Sequence, residues 1–173
     1  MRFVGTVFRA HNPRWSFAPA SGAGAARHGG RFNRPGQPAL YTSLRPEGAW
    51  AEAQQAFPFK PQPLTLCAYT VDCDDVVDLT DPQACTLHGV APADLACAWE
   101  LLAARRQAPP SWRIADRLSL DGAAAIIVPS YAAGAADADR NLVFWSWSNA
   151  RPHQIVVIDD EQRLPRDGRS WGA

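Results

Sequence analysis

The residues able to do chemistry crowd into one stretch near the start of the chain. Gly22-Ala-Gly24 and His28-Gly29-Gly30 lead into Arg31-Phe32-Asn33; Tyr41-Thr42-Ser43 follows, and then an isolated carboxylate, Glu52. Glycine has no Cβ, so its backbone can approach a ligand closely, and successive N–H groups can form a concave anion site. A guanidinium such as that of Arg31 stays charged and grips phosphate oxygens in pairs, which an ammonium cannot do. Glycines beside Arg31 therefore fit a diphosphate. A tight turn followed by a surface arginine is the plainer account of those residues alone. What argues against it is the company Arg31 keeps downstream.

The chain that must hold these residues has 173 of them, enough for one globular unit over 1–173 with a sizeable core and a charged, mobile tail from about Glu161. Lys+Arg and Asp+Glu are 17 each, so no electrostatic footprint for nucleic acid or an anionic membrane is present. Cys67, Cys73, Cys85 and Cys97 form no C-x-x-C pair, and His11, His28, His88 and His153 do not stand near them as zinc ligands would, so no metal is expected. The first residues are too short an apolar run for a signal peptide, and no membrane-length apolar segment follows. A cytoplasmic protein with reduced thiols is the expectation.

The elements that position the chemistry read as follows. Phe3–Phe8 is β-rich and predicts a first strand, and residues 10–36, with three prolines and five glycines, predict a long ordered loop. A short strand over 38–42 precedes a helix that Pro46 opens and Pro58 stops, with Ala49, Ala53 and Ala56 on one face and Glu52 at its border. Strands are predicted at 64–71, 75–79, 123–128, 141–147 and 153–158. The aspartates from Asp72 to Asp81 lack a calcium-loop pattern and read as a solvated turn. Pro92 opens a helix in which Leu95, Trp99 and Leu102 share a core face, and Ser111 is placed as the cap of another. Trp145 and Trp147, alternating, fall on one strand face, and with Trp171 could form a partner surface. Strands interrupted irregularly by helices point to α+β rather than a doubly wound sheet.

In this order and spacing, Gly30-Arg31-Phe32-Asn33-x-x-Gly36, Leu40-Tyr41-Thr42-Ser43, Glu52 and Val128-Pro129-Ser130 with Asn141-Leu142 downstream resemble the RES domain, named for its Arg, Glu and Ser. Asp75-Val-Val-Asp-Leu-Thr80 is similar as well, so the resemblance spans nearly the whole chain. It implies an ADP-ribosyltransferase-like mixed or split β-sheet core with flanking helices, and a toxin of a bacterial toxin–antitoxin pair that acts on NAD⁺. The family's functional residues then fall on Arg31, Tyr41, Glu52 and Ser130, with Gly30, Ser43 and Asn141 as further contacts for NAD⁺ and His28 as a secondary candidate. Phe32 stands where the family commonly has tryptophan, and Phe144-Trp145-Ser146-Trp147 departs from the Asn-Pro of many members. An antitoxin of the Xre, helix-turn-helix type is the implied partner, with no direct nucleic acid and no membrane contact.

The chemistry of those side chains agrees. Cleaving the nicotinamide–ribose bond creates an oxocarbenium-like centre while a cationic ring leaves neutral, so the site needs a carboxylate near the ribose rather than a strong acid. Glu52 would hold a ribose hydroxyl and oppose the developing charge, worth roughly 4 kcal/mol at about 4 Å and an effective dielectric near 20. Arg31 would grip the diphosphate or the nicotinamide-ribose side, Tyr41 would stack on or orient nicotinamide, and Ser130 would bond substrate or Arg31. Three outcomes fit: NAD⁺ destroyed by hydrolysis or phosphorolysis, ADP-ribose transferred to a target protein, or a non-catalytic nucleotide-binding module. The enzymatic accounts require Arg31 and Glu52 to face one hollow.

Overall fold

The computed structural model describes residues 1–55 and 61–169. Among these residues, seven strands form one mixed sheet in the order β4-β5-β6-β2-β1-β3-β7: β1 (Phe3–His11), β2 (Leu40–Ser43), β3 (Thr65–Cys73), β4 (Val76–Asp78), β5 (Ala125–Pro129), β6 (Arg140–Phe144) and β7 (His153–Val157). Only β4 and β5 run parallel, joined by a crossover that contains four of the helices, and all other neighbours are antiparallel. The α+β class and the mixed sheet expected from the sequence are what the chain adopts. The partner of the last strand, not assignable from sequence, is β3.

Period-two alternation sends the strands' apolar residues to two cores. Val7, Leu40, Tyr69, Val71, Ile127, Leu142 and Phe144 are buried together on one face. Ile126, Val128 and Val143 meet Leu79, Leu95, Ile114 and Leu118 on the other, where the helices lie. Those helices are α3 (Pro82–Leu87), α4 (Pro92–Leu95), α5 (Trp99–Ala104) and α6 (Pro110–Leu120), preceded in the chain by α1 (Ala23–His28) and α2 (Pro46–Gln54). Proline occupies the first turn of α2, α3, α4 and α6, where its missing N–H is not needed. Between β1 and β2 the pairing is confined to Phe8↔Ser43, so the sheet is held loosely at its middle.

Several local expectations need correction. The segment 10–36 is not all loop: Pro13–Trp15 forms a 3-10 turn, and Ala23–His28 forms α1, ended by Gly29 at φ 74°. The helix expected from Pro92 is broken into α4 and α5. Leu95 is buried, but Trp99 is half-buried and Leu101 exposed. Ser111 is no cap; it lies inside α6, fully buried, and Pro109 precedes the helix. The strand after the Asp72–Asp75 turn crosses to the far edge of the sheet, beside β5. Trp145 and Trp147 follow the end of β6 and join opposite cores, their indoles donating to Phe32 O and Ala20 O. Ala56, Phe57 and Trp171 lie outside the described residues. Asp72 and Asp74 pair with Arg2 and Arg151, so the acidic turn is stitched to both the N-terminus and the loop before β7.

One buried polar group ties this fold to pH. His11 ends β1, only 9% exposed, with Nε2 3.3 Å from Ser16 Oγ and Nδ1 buried without a partner. Burial, helped by nearby Arg9, pulls its pKa from 6.5 to about 4. Between those values the unfolded chain takes up a proton that the fold refuses, so stability falls as pH drops from 6.5 to about 4. Urea unfolding across that window should show a loss of up to about 3 kcal/mol from this residue, and His11→Gln should flatten the slope.

Candidate active site

The loop that carries Arg31 is fixed from every side before any ligand arrives. Gly30 N donates to Asn33 O at 3.0 Å, and Gly29 N to Ala25 O at 2.8 Å. Phe32 N donates to Tyr41 Oη at 2.9 Å, and the Tyr41 hydroxyl donates to Asn33 Oδ1 at 2.8 Å. The indole of Trp112, on α6, donates to Gly30 O at 2.7 Å, and that of Trp145 to Phe32 O at 2.8 Å. The buried amide of Asn33 donates to the Ala25, Arg34 and Gln37 carbonyls. These bonds correct the expectation of a glycine anion cradle, because the N–H groups of Gly29 and Gly30 are already spent on the loop itself. Gly30 is needed for a different reason: a Cβ there would lie 2.5 Å from Tyr41 Oη.

With its backbone held, Arg31 extends toward the break between α4 and α5. Its Nη1 donates to Leu95 O at 3.2 Å and Cys97 O at 2.6 Å, and its guanidinium lies 4.4 Å from the ring centroid of Tyr131. A continuous helix would have consumed those carbonyls internally; at the break they are open to Arg31. Nε and Nη2 of Arg31 have no protein partner among the described residues, so a pair of donors stays available on a residue that lines the cavity.

Glu52 approaches from α2, and its carboxylate receives three donors. Oε1 accepts from Ser130 Oγ at 2.7 Å and Asn141 Nδ2 at 2.5 Å, while Oε2 accepts from Gln55 Nε2 at 2.5 Å. Ser43 Oγ donates to Asn141 Oδ1 at 2.7 Å, which fixes the amide so that its nitrogen faces Glu52. A carboxylate so bonded is oriented and kept as an acceptor. Ser130 thus bonds Glu52, not Arg31 as one expectation had it.

Arg31 and Glu52 line one cavity of about 590 Å³, together with Gly30, Tyr41, Ser43 and Asn141. Ser130 is not on its wall; it stands behind Glu52, to which it donates. His28 is exposed and also off the wall. The Tyr41 phenol, its pKa pushed up by burial, is committed to the loop through its hydroxyl, so only its ring is offered to a ligand. The wall also contains residues that the sequence reading passed over: Arg9, Gln55, Trp99, Glu100 and Tyr131. Arg9 is half-buried and its guanidinium donates to the Pro19 and Ser21 carbonyls; desolvation lowers its pKa, yet a guanidinium remains charged. Burial pushes the Tyr131 phenol up to about 12. Only the alternation of Arg9 with apolar neighbours in β1 could have flagged it; Trp99 reads from the sequence as a core residue, and nothing there marked Glu100. Among the described residues, no three His, Cys, Asp or Glu side chains gather as metal ligands.

The arrangement places a guanidinium and a carboxylate on the wall of one cavity. Its rigidity is testable at two glycines. Gly30→Ala should destabilise the protein by about 1–3 kcal/mol in urea unfolding, since the added carbon must displace Tyr41 or Asn33. Gly24→Ala, in α1 with open space around it, should be neutral or stabilising by up to about 1 kcal/mol.

A model of the RES domain matches residues 6–167. No curated protein matches the sequence significantly. Among solved structures, a chain of the M. tuberculosis MbcT–MbcA toxin–antitoxin complex is similar, at 23% identity and a TM-score of 0.62, over 92% of this chain and 84% of that one. That likeness is one of fold. The family match covers both arms of the cavity, from β1 through the Arg31 loop and Glu52 to Ser130 and Asn141, and the chain belongs to the RES domain family.

Proposed function

We propose that this RES-domain protein is the toxin of a toxin–antitoxin pair and that it cleaves NAD⁺ at the nicotinamide–ribose bond. The observation that carries the reading is the convergence of Arg31 and Glu52 on one cavity of about 590 Å³, a size suited to a dinucleotide. In this account the free Nε and Nη2 of Arg31 take the diphosphate, and the three-donor carboxylate of Glu52 faces the nicotinamide ribose. Charge develops at C1′ as the C–N bond opens, and a fixed carboxylate stabilises it without reorganising. Ser130, Asn141 and Gln55 hold that carboxylate in place. The aromatic faces of Tyr41, Tyr131 and Trp99 supply stacking surfaces for the two bases.

The antitoxin partner is part of the same proposal. The similar solved chain comes from a toxin–antitoxin complex, and a protein that consumes NAD⁺ inside its own cell requires a partner to silence it; an Xre-type protein is the expected one. Among the described residues, no helix is long and apolar enough to cross a membrane.

Nicotinamide release from NAD⁺ tests the reading directly. Glu52→Gln should slow it about 10²–10³-fold with little change in unfolding midpoint. Arg31→Lys should lower kcat/KM at least about tenfold, because an ammonium cannot reproduce the paired grip. Variants as active as the parent, or a parent that leaves NAD⁺ intact, would contradict it.

A further inference from the structure

Tyr131 follows Ser130 just past the end of β5, and the chain is fixed on both sides of it. Ser130 N donates to Asp139 O at 2.9 Å, and Ala132 N to Ser130 Oγ at 3.3 Å. The two neighbours serve the two arms of the cavity: Ser130 donates to Glu52, while the ring of Tyr131 lies against the Arg31 loop. The ring centroid is 4.4 Å from the Arg31 guanidinium carbon and 6.4 Å from the centroid of Phe32, with the two aromatic planes tilted by 47°. A ring that meets two consecutive side chains of a fixed loop is itself oriented.

The second observation is its hydroxyl. The chain has three tyrosines. Tyr41 Oη is spent on Phe32 N and Asn33 Oδ1, and Tyr69 Oη donates to Pro19 O. Tyr131 Oη has no protein partner among the described residues, although Tyr131 is half-buried and lines the cavity. Nor is that atom sealed from solvent: among those residues, only His11 Nδ1 and Gln54 Nε2 are buried side-chain nitrogens or oxygens without a partner. Desolvation pushes the phenol up to about 12, so at neutral pH it is an uncharged donor. Such a group can donate to an anion without repelling it. The charged side chain it touches is Arg31, so the ligand group nearest to it is the one that Arg31 attracts.

We infer that Tyr131 is a substrate-binding residue, its ring bracing Arg31 and its hydroxyl donating to the diphosphate that Arg31 grips. The inference rests on the NAD⁺ reading above. It gives the diphosphate two donors of different kinds, a charged fork and a neutral hydroxyl, from elements remote in the chain. It also makes the end of β5 the common support of both arms, through Ser130 on one side and Tyr131 on the other.

The test is calorimetric titration of the full chain carrying Glu52→Gln, to slow turnover, with NAD⁺ and with ADP-ribose, which keeps the diphosphate and lacks nicotinamide. Adding Tyr131→Phe keeps the ring and removes the hydroxyl. It should weaken both ligands about tenfold or more, as loss of a hydrogen bond to a charged group does. Tyr131→Leu removes the ring as well and should weaken them at least about threefold further. With Glu52 intact, Tyr131→Phe should raise KM by a similar factor and change kcat by less than about threefold, a split that a general loosening of the fold would not give. Binding of both ligands within about twofold of the Glu52→Gln chain after Tyr131→Phe would overturn the inference. So would weakened NAD⁺ with unchanged ADP-ribose, which puts the hydroxyl at the nicotinamide end. Equal binding by the Tyr131→Leu and Tyr131→Phe chains would overturn the bracing of Arg31. If the Glu52→Gln chain binds neither ligand, the function proposal itself falls, and the inference with it.

Discussion

The carboxylate of Glu52 is the point at which the separate parts of this molecule meet. It leaves α2 and is received by Ser130 just past the end of β5, by Asn141 on β6, and by Gln55 at the end of its own helix. Withdrawing a carboxylate from water is costly unless donors replace the water it loses, so this arrangement exists only if β5, β6 and β2 lie side by side. Their register supplies it: Ser43 pairs with Asn141, and Asn141 with Val128. A slip of one residue in either ladder would turn Asn141 or Ser43 to the opposite face and leave the carboxylate without its partners.

The Arg31 loop solves a different problem. A guanidinium on a free loop would lose entropy on gripping a ligand. Here indoles from two remote elements, a tyrosine hydroxyl and a buried asparagine hold the backbone on both sides of Arg31. Two carbonyls and an aromatic ring then fix the side chain itself. The loop's own N–H groups are consumed in the process, so recognition of an anion falls to the side chain. Both arms of the cavity are therefore set before binding, and the single pair that joins β1 to β2 lies among the lining residues Phe8–Ala10 and Tyr41–Ser43.

Much of this was legible in the residues. Alternating apolar runs marked the strands, prolines marked the starts of α2 and α4, and the order of Arg31, Tyr41, Glu52 and Ser130 carried the family. The structure brings Arg31, Tyr41 and Glu52 to one cavity, with Ser130 behind it. What was not legible depended on distant partners. The break between α4 and α5 coincides with two carbonyls that accept from Arg31, far away in the chain, which no local periodicity records. Ser111 looks like a cap because serine so often is one, yet in α6 it is buried beside Cys97. The short α1 escaped notice because its alanines sit among glycines, and strand pairing across the sheet left no trace in sequence at β4 or β7.

The account stands on Arg31 and Glu52 holding two parts of one NAD⁺ molecule in the same cavity. A crystal structure of the Glu52→Gln variant with NAD⁺ bound addresses this most directly. The diphosphate should lie within hydrogen-bond distance of Arg31 Nε and Nη2, with the nicotinamide ribose beside position 52. NAD⁺ bound outside the cavity, or inside it with the diphosphate away from Arg31, would contradict the account.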